Sequence, residues 1–233
     1  STPGSNPMDI IDNVTQIKKA KFQNDFVIVI IHGGHEYYHL PSPRMKKQYR
    51  FYAESGADVI VGHHTHCVGG NEVFNGVPIF YSLGNFLFTN NSLREEWYTG
   101  LLLKLKIEKN LPINFDLIPI RQQKSNFNLQ ILKGGEKKKV IKEIENYNII
   151  IGDDLKLLQN WNSFLRDTKK EYFQNLSPVN IIGNRYIRGG LNLLGINKLI
   201  LRNNYLKLLL NLMRCEAHVD ATINILSKHL KDK

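Results

Sequence analysis

The stretch "ADVIVGHHTH", residues 57–66, joins a short run of branched apolar residues to three histidines. An uninterrupted apolar run of this kind, rich in valine and isoleucine, is typical of a β-strand that is buried on both faces. The glycine at position 62 marks its end, and side chains that can bind a metal ion follow at once. The stretch therefore predicts a buried strand with a histidine-bearing loop at its carboxyl end.

A second apolar run precedes this strand in the chain. The segment "DFVIVIIHGG", residues 25–34, also predicts a buried strand that ends at glycines. Between the two runs, apolar residues recur at helical spacing from Arg44 to Ser55. Strand, helix and strand in this order form a βαβ unit, in which the two strands are parallel. We therefore expect both histidine-bearing loops at the same edge of the sheet, where open α/β sheets bind their ligands.

The remaining patterns predict the rest of the fold. A helix is expected after Asp9, a hairpin at Asn75-Gly76, and two antiparallel strands from "TGLLLKLKI" and "INFDLIPI". Helices are then expected over residues 155–173, 196–214 and 216–230. We expect an α/β fold, with a mixed β-sheet flanked by helices in residues 1–128 and an all-α extension in residues 129–233.

Composition and charge narrow the class of protein. The chain has 42% hydrophobic residues and a net charge of +10, yet only 8 of its 31 Lys and Arg residues lie in residues 1–100. Such a basic second half could bind nucleic acid, an acidic polymer or a membrane surface, although a solvated exterior is the commoner interpretation. Because no nucleic-acid-binding motif accompanies the charge, we do not expect nucleic acid as a partner. The longest apolar run, Phe26–Ile31, is far shorter than a membrane span.

Histidines are concentrated in one part of the sequence. Six of the eight lie between positions 32 and 66. His32, His64 and His66 follow neighbouring strand ends, so three imidazoles could bind zinc with an open fourth position, or form half of a two-metal site. For the other three, His35, His39 and His63, we favour loop histidines that are hydrogen-bonded to the backbone.

Residues 27–88 resemble the CapA family of capsule and poly-γ-glutamate synthesis proteins, whose domain is similar to calcineurin-like metallophosphoesterases. The resemblance is carried by "HGGHEY" at 32–37, "GADVIVGHHTH" at 56–66, Glu72, and "IFYSLGNFLF" at 79–88. It implies the second half of a metallophosphatase-like β-sandwich. It also implies a divalent metal (Mn, Zn or Fe) bound by His32, His64 and His66, with His64 sharing an ion with His32. Glu36, Glu72 and Asn85 are expected in the same pocket as catalytic residues.

The chain departs from the family pattern in an important way. Upstream of this region, family members carry a strand ending in Gly-Asp, an Asn-x-Glu segment and an Asn-Asn-His loop, which this sequence lacks. A bridging carboxylate holds two divalent ions at about 3.5–4 Å, so a dinuclear centre would need residues from outside this chain. Gly33 also replaces the tryptophan of the family motif, which thins one wall of the pocket.

The expected function follows from this resemblance. It implies a metal-dependent hydrolase or transferase of capsule or cell-envelope polymer synthesis, acting on an acidic polymer or a phosphorylated substrate together with other capsule synthesis proteins. The alternative is a non-catalytic binding module for an acidic envelope polymer or a partner enzyme. Bacterial cytoplasm and cell envelope both remain open as the compartment.

Overall fold

The computed structural model describes residues 6, 9–109, 111–175, 184–196 and 200–214. The chain folds as two compact units, Ser1–Phe164 and Leu165–Lys233. The first unit is α/β, which confirms the predicted fold class. Within the described ranges, no helix combines the length and the hydropathy that crossing a bilayer requires.

A mixed four-stranded sheet forms the centre of the first unit. Its strands are β1 (Ile28–His32), β2 (Val59–His63), β3 (Asn71–Phe74) and β4 (Val77–Phe80), in the order β1-β2-β4-β3. The β1-β2 and β2-β4 pairs are parallel, and β3 pairs antiparallel with β4. The register places His32 opposite His63, so the loops after β1 and β2 begin side by side as predicted.

Two helices and a turn follow from local signals. Helix α1 (Ile10–Gln23) begins at Asp9, whose carboxylate accepts hydrogen bonds from the first-turn amides. Helix α2 (Pro43–Glu54) begins after Ser42, whose hydroxyl accepts from the Met45 amide. In the predicted hairpin, Asn75 and Gly76 both have positive φ, 49° and 83°, as a tight two-residue turn between antiparallel strands requires.

A second, antiparallel sheet packs against the first. It contains β5 (Thr99–Lys106), β6 (Asn114–Gln122) and the short β7 (Leu129–Ile131), and a 3-10 helix (Glu95–Tyr98) leads into β5. Val59, Val61 and Phe80 of the first sheet share one apolar cluster with side chains of β5 and β6. Phe80 and Phe115 meet edge to face across it, with their ring centroids 4.9 Å apart.

The first unit extends beyond residue 128, at which the sequence predicts the end of the α/β domain. Strand β7 joins β6, and helix α3 (Gly134–Ile151) packs Val140 and Ile144 against Leu101 of β5. Helix α4 (Asp154–Asn175) follows, and its Leu157 lies in the main core beside α2. These contacts join the first two helices after residue 129 to the sheets.

The prediction that β1 is buried on both faces is wrong. Ile28 is 44% exposed and Ile30 is 71% exposed, whereas Val59 and Ile60 of β2 are fully buried. These side chains are exposed because β1 is an edge strand: among the described residues it has a strand partner on one side only. A groove of about 620 Å³ runs between this free edge and α1.

The second unit is helical in its described part. After the end of α4 it contains α5 (Arg185–Leu193) and α6 (Asn203–Arg214). Helix α6 covers the later part of the helix predicted over 196–214. The helix predicted over 216–230 lies outside the described residues.

Candidate functional site

His32 and His64 meet at the carboxyl edge of the parallel strands. His32 is the last residue of β1, and His64 follows the last residue of β2. Their facing nitrogens, His32 Nε2 and His64 Nδ1, are 3.1 Å apart. The backbone of His64 has a φ of 99°, a strained value for a non-glycine residue, and such strain is commonest where a side chain must point to a functional position.

The 3.1 Å contact is an N–H···N hydrogen bond between the two imidazoles, and the same spacing would also suit two ligands of one metal ion. Two imidazole nitrogens at about 2.0–2.1 Å from a tetrahedral zinc lie roughly 3.3 Å from each other. The observed 3.1 Å is close to that value. Burial and the neighbouring His32 lower the pKa of His64, which favours the neutral imidazole that a metal ligand must be.

His66 is held beside this pair in one tautomer. The side-chain amide of Asn85 donates from Nδ2 to the Trp97 carbonyl at 2.9 Å, so its Oδ1 faces His66 Nδ1, also at 2.9 Å. An amide oxygen only accepts, so His66 Nδ1 must donate the proton and a neutral ring keeps its lone pair on Nε2. Such a contact is how proteins orient a ligating histidine. The His64 and His66 ring centroids are 6.0 Å apart.

The two predicted glutamates lie in different surroundings. Glu36 is exposed, and its charge acts to raise the pKa of His64 against the effect of burial, which places it near the histidines. Glu72 is bound elsewhere: Arg50 donates to its two oxygens at 3.0 and 2.6 Å, and the Tyr81 hydroxyl donates at 2.6 Å. The structure thus brings His32 and His64 into contact, places His66 and Asn85 beside them, and engages Glu72 in an ion pair with α2.

The described residues do not supply a complete metal centre. In the ranges that the structure describes, no three His, Cys, Asp or Glu side chains converge as a group that could hold an ion. Two facing nitrogens with a third imidazole nearby therefore form the most that this part of the chain offers.

The other histidines of the loops have packing roles. His39 Nδ1 lies 2.7 Å from the Val68 carbonyl, and its ring stacks on Tyr147. This confirms the expectation of a backbone-bonded loop histidine for His39. His35 packs on the Trp161 ring at 4.8 Å, so α4 holds the loop that follows β1.

Aromatic rings surround His66 and form a wall beside it, and the sequence does not predict this grouping. Trp97 and Phe88 lie 4.7 and 5.2 Å from the His66 ring, and Tyr37 lies 6.3 Å away. The Arg94 guanidinium carbon lies 4.0 Å above the Tyr37 ring. For Tyr37, the sequence leaves open whether the ring packs or stacks on a substrate. Arg94 and Trp97 lie in an irregular polar segment with no periodic pattern, so no sequence signal indicates them.

The first half of the chain is similar in sequence to known proteins. Residues 2–90 match the family model "Bacterial capsule synthesis protein PGA_cap". The chain is 39% identical over 120 residues to "PGA biosynthesis protein CapA" of Bacillus subtilis (strain 168), an alignment that covers 52% of this chain and 31% of that protein. It is 34% identical over 128 residues to "Capsule biosynthesis protein CapA" of Bacillus anthracis, covering 53% and 31%. The chain thus spans about a third of the length of these curated relatives.

Proposed function

We propose that the chain is a member of the capsule synthesis family whose model its residues 2–90 match, and that it contributes a metal-dependent hydrolase or transferase site to capsule polymer synthesis. The reaction class is that of metallophosphoesterases. The substrate is an acidic polymer such as poly-γ-glutamate, or a phosphorylated precursor. Other capsule synthesis proteins are its partners.

The observation that carries this proposal is the 3.1 Å approach of His32 Nε2 to His64 Nδ1. These two nitrogens would hold a divalent ion (Mn, Zn or Fe), with His66 Nε2 beside them. When bound, such an ion supplies Lewis acidity toward a phosphoryl or carbonyl oxygen.

The side chains around the pair have separate tasks. Asn85 fixes the His66 ring with Nδ1 as the donor, so that the lone pair of the neutral ring is on Nε2. The exposed Glu36 carboxylate can accept a proton from an attacking water or hydroxyl group. The Tyr37 and Trp97 rings form one wall and exclude water on that side.

Further ligands would come from outside the described residues. The free edge of β1 ends at His32, and its exposed Ile28 and Ile30 can receive an extended segment by strand pairing. A polypeptide paired there in parallel would bring its own carboxyl end beside the histidines. This arrangement would allow a dinuclear site.

Metal content tests the proposal. The full chain is purified without chelator, and its metals are measured by mass spectrometry. We expect about one equivalent of a transition metal, lost in His32→Ala and in His64→Ala. His39→Asn is the matched control, since it changes a histidine of the same loop that bonds to a backbone carbonyl instead. Weak hydrolysis of p-nitrophenyl phosphate, lost with the metal in the His64 variant, would extend the result to catalysis.

The binding-module alternative is favoured by one observation, the lack of a third converging ligand among the described residues. It expects no metal in the wild-type chain. It also expects poly-γ-glutamate binding that falls with salt and survives His64→Ala. That combination would replace the catalytic proposal.

A further inference from the structure

Arg94 lies against Tyr37 beside the candidate site, and its contacts with the described residues use little of its hydrogen-bonding capacity. Its guanidinium lies over the Tyr37 ring, with the central carbon 4.0 Å from the ring centroid. Its side chain is 56% exposed, and its ion-pair partner among the described residues, Glu96, is 3.5 Å away. A guanidinium has five N–H donors, and stacking on a ring leaves its edges available.

Tyr37 has Arg94 over its ring and the His66 ring 6.3 Å away. Its backbone has a φ of 59°, and its amide donates to the Thr65 carbonyl at 2.7 Å. Left-handed backbone costs about 1 kcal/mol or more for a residue other than glycine, so this hydrogen bond holds a conformation that the chain would otherwise avoid. The result is a ring with the Arg94 cation on its face and the His66 imidazole nearby.

The segment that carries Arg94 is tied to the same histidine. Arg94 immediately precedes the 3-10 helix Glu95–Tyr98. The Trp97 carbonyl of that helix accepts from Asn85, and Asn85 in turn accepts from His66. The position of Arg94 relative to His66 is therefore set by a short chain of hydrogen bonds and ring contacts.

We propose that Arg94, stacked on Tyr37, binds an anionic oxygen group of the substrate while another part of the substrate lies at the histidines. The inference rests on the proposed function, because it assigns a specificity-determining residue to that same site. Arginine on an aromatic face binds a carboxylate or a phosphate through two parallel N–H bonds. The side chain thus selects molecules that carry an oxyanion beside the reacting group, such as an acidic polymer or a phosphorylated precursor.

Three variants of the full chain test the role of Arg94. Arg94→Gln removes the charge, and Arg94→Lys keeps the charge without the planar fork. Lys106→Gln is the matched control, since Lys106 also pairs with a glutamate two residues later. It lies at the far end of β5, seven residues from Thr99 and so roughly 24 Å along the strand.

Binding is measured by titration calorimetry at low salt with two probes, a poly-γ-glutamate oligomer and inorganic tripolyphosphate. We expect Arg94→Gln to weaken binding of at least one probe about 10- to 100-fold, with Arg94→Lys between it and the wild type. Lys106→Gln should bind as the wild type does. The probe that loses more affinity identifies the oxyanion as carboxylate or phosphate.

The outcomes separate this inference from the proposed function. Metal content should be equal in all three variants, because Arg94 is not a ligand. A chain without metal that still shows Arg94-dependent binding would refute the catalytic proposal and support the anion site. Any of three results would overturn the inference. Arg94→Gln could lose no affinity, Arg94→Gln and Lys106→Gln could lose affinity equally, or the wild type could bind neither probe.

Discussion

Replacing Glu72 by alanine should destabilise the first unit and leave metal binding intact. The family resemblance suggests a catalytic role for this residue, but its carboxylate is fully engaged by other side chains. Arg50 donates to both of its oxygens, and the Tyr81 hydroxyl donates to one of them. These contacts join β3, α2 and the end of β4, so a structural role is the expected one.

The expected loss can be worked out from the exposure of the three partners. Tyr81 is 1% exposed, and leaving its hydroxyl without an acceptor costs about 1–3 kcal/mol. The Arg50 side chain is 30% exposed, so water can partly replace its lost partner. We therefore count about 1 kcal/mol for that ion pair, and not the 3–5 kcal/mol of a fully buried one. The free energy of unfolding should fall by about 2–4 kcal/mol in total.

Thermal and urea unfolding followed by circular dichroism measure this loss. In a unit of this size, about 3 kcal/mol lowers Tm by about 6–12 °C. Tyr81→Phe provides a double-mutant cycle, since its cost should nearly vanish when Glu72 is already alanine. Glu108→Ala is the control, because it removes an exposed glutamate paired with Lys106 and should change stability by less than about 0.5 kcal/mol.

Metal content of the same Glu72→Ala protein decides between the two roles. We expect it to equal that of the wild type. A variant that keeps its Tm within about 2 °C and loses its metal would show that Glu72 is a site residue after all, and that the Arg50 and Tyr81 contacts do not describe its role.

Three further predictions concern Cys67 and Trp161. Burial raises the pKa of Cys67 to about 12, so the folded protein should hold this thiol protonated and unreactive at pH 8. In a Cys215→Ser background, iodoacetamide should therefore modify the chain in urea and not in the folded state. Fast modification of the folded protein would contradict this prediction. Because the pKa of Cys67 is raised in the folded state, the contribution of the thiol to stability is complete below about pH 9 and is lost as the pH rises toward 12. The free energy of unfolding should therefore fall less between pH 8 and pH 10 in Cys67→Ala than in the wild type. Trp161→Ala removes ring contacts to His35, Tyr38 and Phe164 and should lower the free energy of unfolding by about 2 kcal/mol. An unchanged urea midpoint would show that these rings do not hold the loop after β1.

Much of the fold of the first unit could be predicted because its signals are local. The Asp9 cap and the Asn75-Gly76 pair each specify a boundary or a turn through their own backbone preferences. Apolar periodicity places α1, β1, α2 and β2 within a few residues of their observed bounds. The parallel order of β1 and β2 then follows from the handedness of a βαβ crossover, which brings His32 and His64 to one edge.

Some parts of the fold have no such local signal. Strand β7 has only three residues and is defined by pairing with β6. The apolar run of β1 is consistent with a central strand, yet the strand lies at the free edge of the described sheet with Ile30 exposed. Burial of a strand depends on which neighbours are present, and a single segment does not contain that information.

The order of residues along the chain is enough to show which residue types stand at the ends of the parallel strands, and it therefore indicates a cluster of imidazoles at one edge. The partners of each polar side chain depend on how the sheets and helices pack. Glu72 bonds to Arg50, 22 positions away on α2, and Arg94 lies over Tyr37 from a segment with no regular pattern. Capping and strand alternation act between near neighbours, whereas an ion pair or a stacked ring forms between whichever side chains the packed sheets and helices bring within a few ångströms.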